Sequence, residues 1–104
     1  MSQEYDKLVR DKIPEIIEAN DEDPTTYVAD GEEYATRLGE KLTEEVTEYQ
    51  KSGDIEELAD ILEVVHAIRE NSGVSVDELQ EIRDEKAEQR GRFEDGIVLE
   101  RVNK

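Results

Sequence analysis

Residues 30–71 read DGEEYATRLGEKLTEEVTEYQKSGDIEELADILEVVHAIREN. At about 100° per residue, Tyr34, Leu38, Leu42, Val46 and Tyr49 line one stripe of a helix running from about Asp30 to Ser52. Asp30 suits its N-cap, and Gly53 supplies the glycine that commonly follows a helix C-terminus. Asp54 opens a second helix that reaches about Asn71, with Leu58, Ile61, Leu62, Val64, Val65 and Ile68 on a broad apolar face. The short link through Gly53 and Asp54 makes the two helices antiparallel neighbours.

On the N-terminal side, Pro14 suits the first turn of a short helix, IPEIIEAN, and Asn20 to Pro24 (NDEDP) breaks any pattern and reads as a loop. On the C-terminal side, Ser75 and Glu78 form a capping box that starts a fourth helix, and Gly91 closes it. Residues 1–12 read as extended. The tail from Arg92 to Val102 carries Ile97, Val98, Leu99 and Val102 after Asp95-Gly96, a pattern expected to pair as a short strand. The expected fold is all-α: one domain over residues 1–104, an antiparallel bundle of four helices including the short N-terminal one, with extended N- and C-terminal segments.

Composition narrows the function. The 104 residues hold 30 Asp plus Glu against 13 Lys plus Arg, a formal net charge of −17, and only 35% are hydrophobic. Such charge repels a phosphate backbone, which disfavours a nucleic-acid-binding module. No apolar run approaches the ~20 residues of a membrane span, and no basic-then-apolar leader is present. With no cysteine, disulfide scaffolds and thiolate chemistry are excluded. A soluble, cytoplasmic protein is the expectation. Acidic residues interleave with Leu, Ile and Val at helical spacing, which disordered tails lack, so the acidity reads as adaptation to concentrated salt, where self-repulsion is screened. The thin core favours an oligomer that shares apolar surface.

In so acidic a chain a carboxylate matters only by position. Glu45 falls in the middle of the apolar stripe of its helix, Glu48 at the edge, and Glu44 just beyond Glu48. On the next helix Glu57 falls between Ile68 and Val64, with Asp60 at the border. Each helix thus carries an i, i+3 acidic pair on or beside its buried face, and Glu45, Glu48, Glu57 and Asp60 are expected to converge. Four uncompensated carboxylates would repel and desolvate at considerable cost. A hard divalent cation with oxygen ligands, Mg²⁺ above all, neutralises such a set; the alternative is a solvated, merely acidic face. Leu79 marks the inner side of the fourth helix, and Lys86 and Arg90 project along nearly the same direction. In a chain so poor in cations this points to an anionic partner, either the carboxylate cluster or a phosphate chain, with surface pairing to acids such as Glu94 as the simpler reading. His66 lies away from Glu57 and reads as structural.

The motif Glu44-Glu45-x-x-Glu48 followed by Glu57-x-x-Asp60 resembles the metal-binding signature of the all-α, MazG-like nucleotide pyrophosphohydrolases, a superfamily that includes phosphoribosyl-ATP pyrophosphohydrolase. The opening YDKLVRDKIPEII and the closing KAEQRGRFEDGIVLERV resemble a subgroup that begins with K-L-V-R-D-K-I-P and ends with R-G-G-F; Arg92 stands here where that subgroup has its second glycine. The resemblance implies a Mg²⁺-dependent enzyme (Mn²⁺ serving as an alternative) that cleaves the α–β phosphoanhydride of a nucleoside triphosphate, releasing monophosphate and pyrophosphate. It implies Glu45, Glu48, Glu57 and Asp60 as metal ligands, Glu44 and Glu48 as candidates to orient or deprotonate the attacking water, and Lys7, Arg10, Lys86 and Arg90 as contacts to the phosphate chain. It also implies a homodimer or homotetramer. Phosphoribosyl-ATP hydrolysis in histidine synthesis and a non-catalytic helical interaction module remain as alternatives.

Overall fold

A computed structural model describes residues 2–104 and contains four helices and, among the described residues, no strand. They are α1 (Ile13–Ala19), α2 (Gly31–Ser52), α3 (Ile55–Asn71) and α4 (Val76–Arg90). The all-α expectation holds, and the helices begin and end where the sequence punctuation places them. The strand expected in the tail does not form: residues 97–102 are exposed and no neighbouring strand offers them a ladder of hydrogen bonds.

Local chemistry explains the boundaries. Pro14 occupies the first turn of α1, where its missing N–H costs nothing. Asp30 and Asp54 take extended backbone ahead of α2 and α3, although neither side chain bonds back to the helix. Gly53 ends α2 at φ 68°, a left-handed conformation that glycine adopts without steric cost, and its N–H donates to the Tyr49 carbonyl. The capping box of α4 is complete: Ser75 Oγ accepts from the Glu78 N–H at 3.0 Å, and the Glu78 carboxylate accepts from the Ser75 N–H at 3.3 Å. In the preceding turn the Arg69 guanidinium donates to the Val74 carbonyl and sits 2.9 Å from His66 Nδ1. His66 also pairs with Glu70 at the surface.

Packing is concentrated in one place. Helices α2 and α3 lie against each other, and their apolar stripes bury Leu38 (3% exposed) and Val64 (9%). Little else is enclosed. The chain measures 61 × 31 × 26 Å with a radius of gyration of 18.3 Å, against ~13 Å for a compact domain of this length. Neither α1 nor α4 packs extensively on the α2–α3 pair. Helix α4 shows why: after Val76, Leu79 and Ile82 its sequence is RDEKAEQR, polar all round, so it has no long stripe to bury.

The N-terminal segment is tied down by charge instead. Arg37 on α2 donates to the Asp6 carbonyl at 2.9 Å and to its carboxylate at 2.8 Å. These bonds hold Asp6 at φ 45°, an uncommon conformation for a residue with a side chain. Residues 7–10 therefore run beside the α2–α3 interface.

Because Leu38 is the best-enclosed apolar side chain, Leu38→Ala is expected to destabilise the protein by about 3 kcal/mol. Urea unfolding followed by circular dichroism in molar KCl checks this. Leu62→Ala, at a position 67% exposed in the single chain, is the comparison.

Candidate metal and phosphate site

The apolar stripe of α2 that seats Leu38 also carries Glu45, whose side chain is 13% exposed. From α3, Glu57 and Asp60 meet it. One carboxylate oxygen from each of Glu45, Glu57 and Asp60 can be chosen so that all lie within 4.8 Å of one another. Around an octahedral Mg²⁺ at ~2.1 Å, donor oxygens stand ~3 Å apart when adjacent and ~4.2 Å apart when opposite. The donor set is all-oxygen, hard and negatively charged, which suits a small divalent cation, and the three side chains would draw together around it.

Three of the four carboxylates expected as ligands are thus gathered. Glu48 lies outside this group: at the edge of the stripe it is exposed, but its charge still acts on Glu57. Glu44 stands beside the group and is engaged elsewhere. Its Oε1 accepts from Lys7 Nζ at 2.8 Å and its Oε2 from Lys41 Nζ at 2.6 Å. Arg10 reaches the cluster, its Nη2 donating to Asp60 Oδ1 at 2.7 Å. Lys86 and Arg90 do not: both are exposed on α4 and make no ion pair among the described residues. Within one chain α4 does not pack closely enough on α2 and α3 to bring them in.

The site also contains Lys41, which was not singled out from the sequence. Its side chain is 16% exposed and bridges Glu44 at 2.6 Å and Glu45 at 3.3 Å. The signal was present, since Lys41 stands at i−3 and i−4 from two motif carboxylates, but that spacing is common on any charged helix. A cleft of about 370 Å³ opens beside these groups, between the N-terminal segment and α2, lined by Tyr5, Lys7, Arg37, Lys41 and Glu44 among others. Its size is in the range of small-ligand sites, and Lys7 Nζ lies 5.7 Å from the centre of the Tyr5 ring.

Protonation equilibria follow this geometry. Burial pushes the Glu44 carboxyl up, but the hydrogen bonds from Lys41 and Lys7 outweigh it and hold the group below its ordinary value of 4.5. Lys41 is likewise raised, burial being outweighed by its bonds to Glu44 and Glu45. Glu57 moves the other way: desolvation, then the charges of Asp60, Glu45, Glu48 and Asp54, push it above 4.5. Among the described residues Glu57 has no ion-pair partner. It is the unneutralised member of the cluster.

Comparison with protein-family models, with curated proteins and with solved structures finds no significant match. No described helix is long and apolar enough to cross a membrane.

The opposed shifts predict a signed pH response. Glu57 binds its proton more tightly folded than unfolded, so its repulsion is relieved and stability rises as pH falls through its raised folded value. Glu44 is the reverse: the stability its ion pairs contribute is present above 4.5 and lost as pH falls through its lowered folded value. Thermal stability in chelator is therefore expected to rise as pH falls from neutral through the raised Glu57 value, and to fall once pH drops below 4.5 through the lowered Glu44 value. Glu57→Gln should diminish the rise, which separates the site from general relief of surface charge. Mn²⁺ should raise the melting temperature of the parent protein and leave Glu57→Gln nearly unmoved.

Proposed function

We propose that the protein is a Mg²⁺-dependent nucleoside triphosphate pyrophosphohydrolase, cleaving between the α and β phosphates and serving to clear nucleotides from the pool. The observation that carries this reading is the carboxylate trio Glu45, Glu57 and Asp60 on facing helices, set against cations contributed by the N-terminal segment and by Lys41. The resemblance of the acidic motif and both chain ends to MazG-like enzymes supports it.

Glu45, Glu57 and Asp60 would hold the metal, with Glu48 within reach of the same charge field. A bound divalent ion supplies charge neutralisation for the phosphates and a more acidic water. Glu48 bears no cation partner among the described residues and is suited to accept a proton from that water. Glu44, fixed through both oxygens by lysines, is suited to orient it. Lys7 and Arg10 approach from one side to meet the phosphate chain, and the cleft beside Lys41 has room for the polyphosphate. Lys86 and Arg90 enter this scheme only through a second copy or a movement of α4.

A homo-oligomer follows from the same reading. The chain exposes 9521 Å², whereas a compact monomer of 11.9 kDa exposes ~6,000 Å². The excess is larger than a standard protein–protein interface of ~1,600 Å². Leu62, Val76 and Ile82 are about half to two-thirds exposed, and Phe93, Ile97 and Leu99 are more than three-quarters exposed. A second copy is the occupant we assign to this surface. The solution mass in molar KCl should be an integer multiple of 11.9 kDa, and the unfolding midpoint should rise with protein concentration. A monomeric mass would leave a movement of α4 as the one route by which Lys86 and Arg90 reach the site.

The activity is tested by incubating the protein with Mg²⁺ in molar KCl and a panel of NTPs, dNTPs and phosphoribosyl-ATP, and resolving the products by ion exchange. Monophosphate plus pyrophosphate is expected, with turnover lost on adding chelator and reduced at least ~100-fold by Glu45→Gln. Diphosphate plus orthophosphate would reassign the bond that breaks. No turnover by the folded protein would leave the interaction module as the better reading.

A further inference from the structure

Two of the three gathered carboxylates already carry a cation from the chain itself. Arg10 Nη2 lies 2.7 Å from Asp60 Oδ1, and Lys41 Nζ lies 3.3 Å from Glu45 Oε1. They come from different places: Arg10 from the N-terminal segment, Lys41 from one turn earlier on α2. We propose that Arg10 and Lys41 are resident counter-cations of the carboxylate cluster, yield Asp60 and Glu45 to a divalent metal ion, and then take the phosphates of the substrate. This rests on the metal-dependent nucleotide reading above and adds an order to it: metal first, anion second.

Charge decides the order. With Glu45, Glu57 and Asp60 ionised and Arg10 and Lys41 beside them, the local charge is −1, which repels a polyphosphate. A divalent ion among the same five groups turns it to +1, which attracts one. Neither cation need travel far. Arg10 Nη2 is the fork end of a long, flexible side chain, 56% exposed. Lys41 retains its shorter bond to Glu44, so releasing Glu45 leaves it anchored at the wall of the 370 Å³ cleft. Glu44 then has a distinct part: with Lys7 on its other oxygen, it keeps both lysines at the cleft while the metal occupies the adjoining carboxylates. The Arg10–Asp60 pair is exposed and so individually weak, and the enclosed Lys41–Glu45 contact is, at 3.3 Å, the longer of the two that Lys41 makes, so a divalent ion can displace both.

The two steps respond in opposite directions when a cation is removed. Arg10→Gln and Lys41→Gln each eliminate a competitor for a metal-binding carboxylate, so each should bind Mn²⁺ alone more tightly, by roughly three- to ten-fold. Each should also bind an α,β-methylene triphosphate analogue more weakly at saturating Mn²⁺, by about ten-fold. Arg10→Lys and Lys41→Arg keep the charge and should stay near the parent in the Mn²⁺ titration. Calorimetry on the full chain in constant molar KCl reads both, with circular dichroism establishing that each variant is folded; should one neutral variant fail to fold, the other carries the test.

Unchanged or weakened Mn²⁺ binding in the Gln variants would overturn the competition, and tighter Mn²⁺ binding with unchanged analogue binding would overturn the handover. A parent chain that binds no Mn²⁺ would overturn both. Both shifts in a protein that hydrolyses no nucleotide would uphold the handover and remove the pyrophosphohydrolase reading. Hydrolysis without the shifts would do the converse.

Discussion

Repulsion among Glu45, Glu57 and Asp60 is the constraint on which the rest of the structure turns. Three carboxylates are brought together at the α2–α3 interface, which buries Leu38 and Val64. Water is partly excluded there, so the like charges are screened less than those on the outer faces. Other parts of the chain answer that repulsion. The N-terminal segment is fastened by Arg37 to Asp6, Lys7 to Glu44 and Arg10 to Asp60. Lys41 fills the remaining angle on α2. Of the three carboxylates, Glu57 has no counter-charge among the described residues, and desolvation, then its acidic neighbours, raise its proton affinity.

Core and site share the same two helices, and the sharing explains how thin the core is. A leucine at position 45 would extend the stripe formed by Leu38, Leu42 and Val46, adding apolar burial on the order of 2 kcal/mol. The chain carries a carboxylate there instead. Such a departure from the hydrophobic pattern is expected where function has its own demand. Much apolar surface on α3, α4 and the tail is exposed in the single chain, the surface that the proposed oligomer would cover.

Much of this was legible in the sequence because it is local. Helix bounds follow from Pro14, Gly53, the Ser75–Glu78 box and Gly91, each acting through its own backbone. Glu45 announced itself by standing inside an apolar stripe, and Glu57 and Asp60 by their i, i+3 spacing on the next helix. What was not legible depends on distance in the chain or on competition among equivalent neighbours. Lys41 was hidden because a lysine three and four residues before glutamates is ordinary on a charged surface. Placing Lys86 and Arg90 required knowing where α4 lies, and a helix that is polar through most of its length carries no pattern to fix it against another. The β-branched residues of the tail favour a strand, but strand formation needs a partner strand, and its own chain presents none among the described residues.

Salt acts differently on the two scales of charge in this molecule. A net charge of −17 spread over an elongated chain repels itself at separations of many ångströms. At about 1 M salt the screening length is ~3 Å, so most of that long-range repulsion disappears. The pairs at the site are contacts of 2.6 to 3.3 Å, and Lys41 and Glu45 are largely enclosed, so they retain much of their attraction. Concentrated salt therefore removes the charge that opposes folding and association while sparing the charge that organises the site. An acidic surface and a charged site can coexist because the repulsion acts over many screening lengths, whereas the site pairs act at about one.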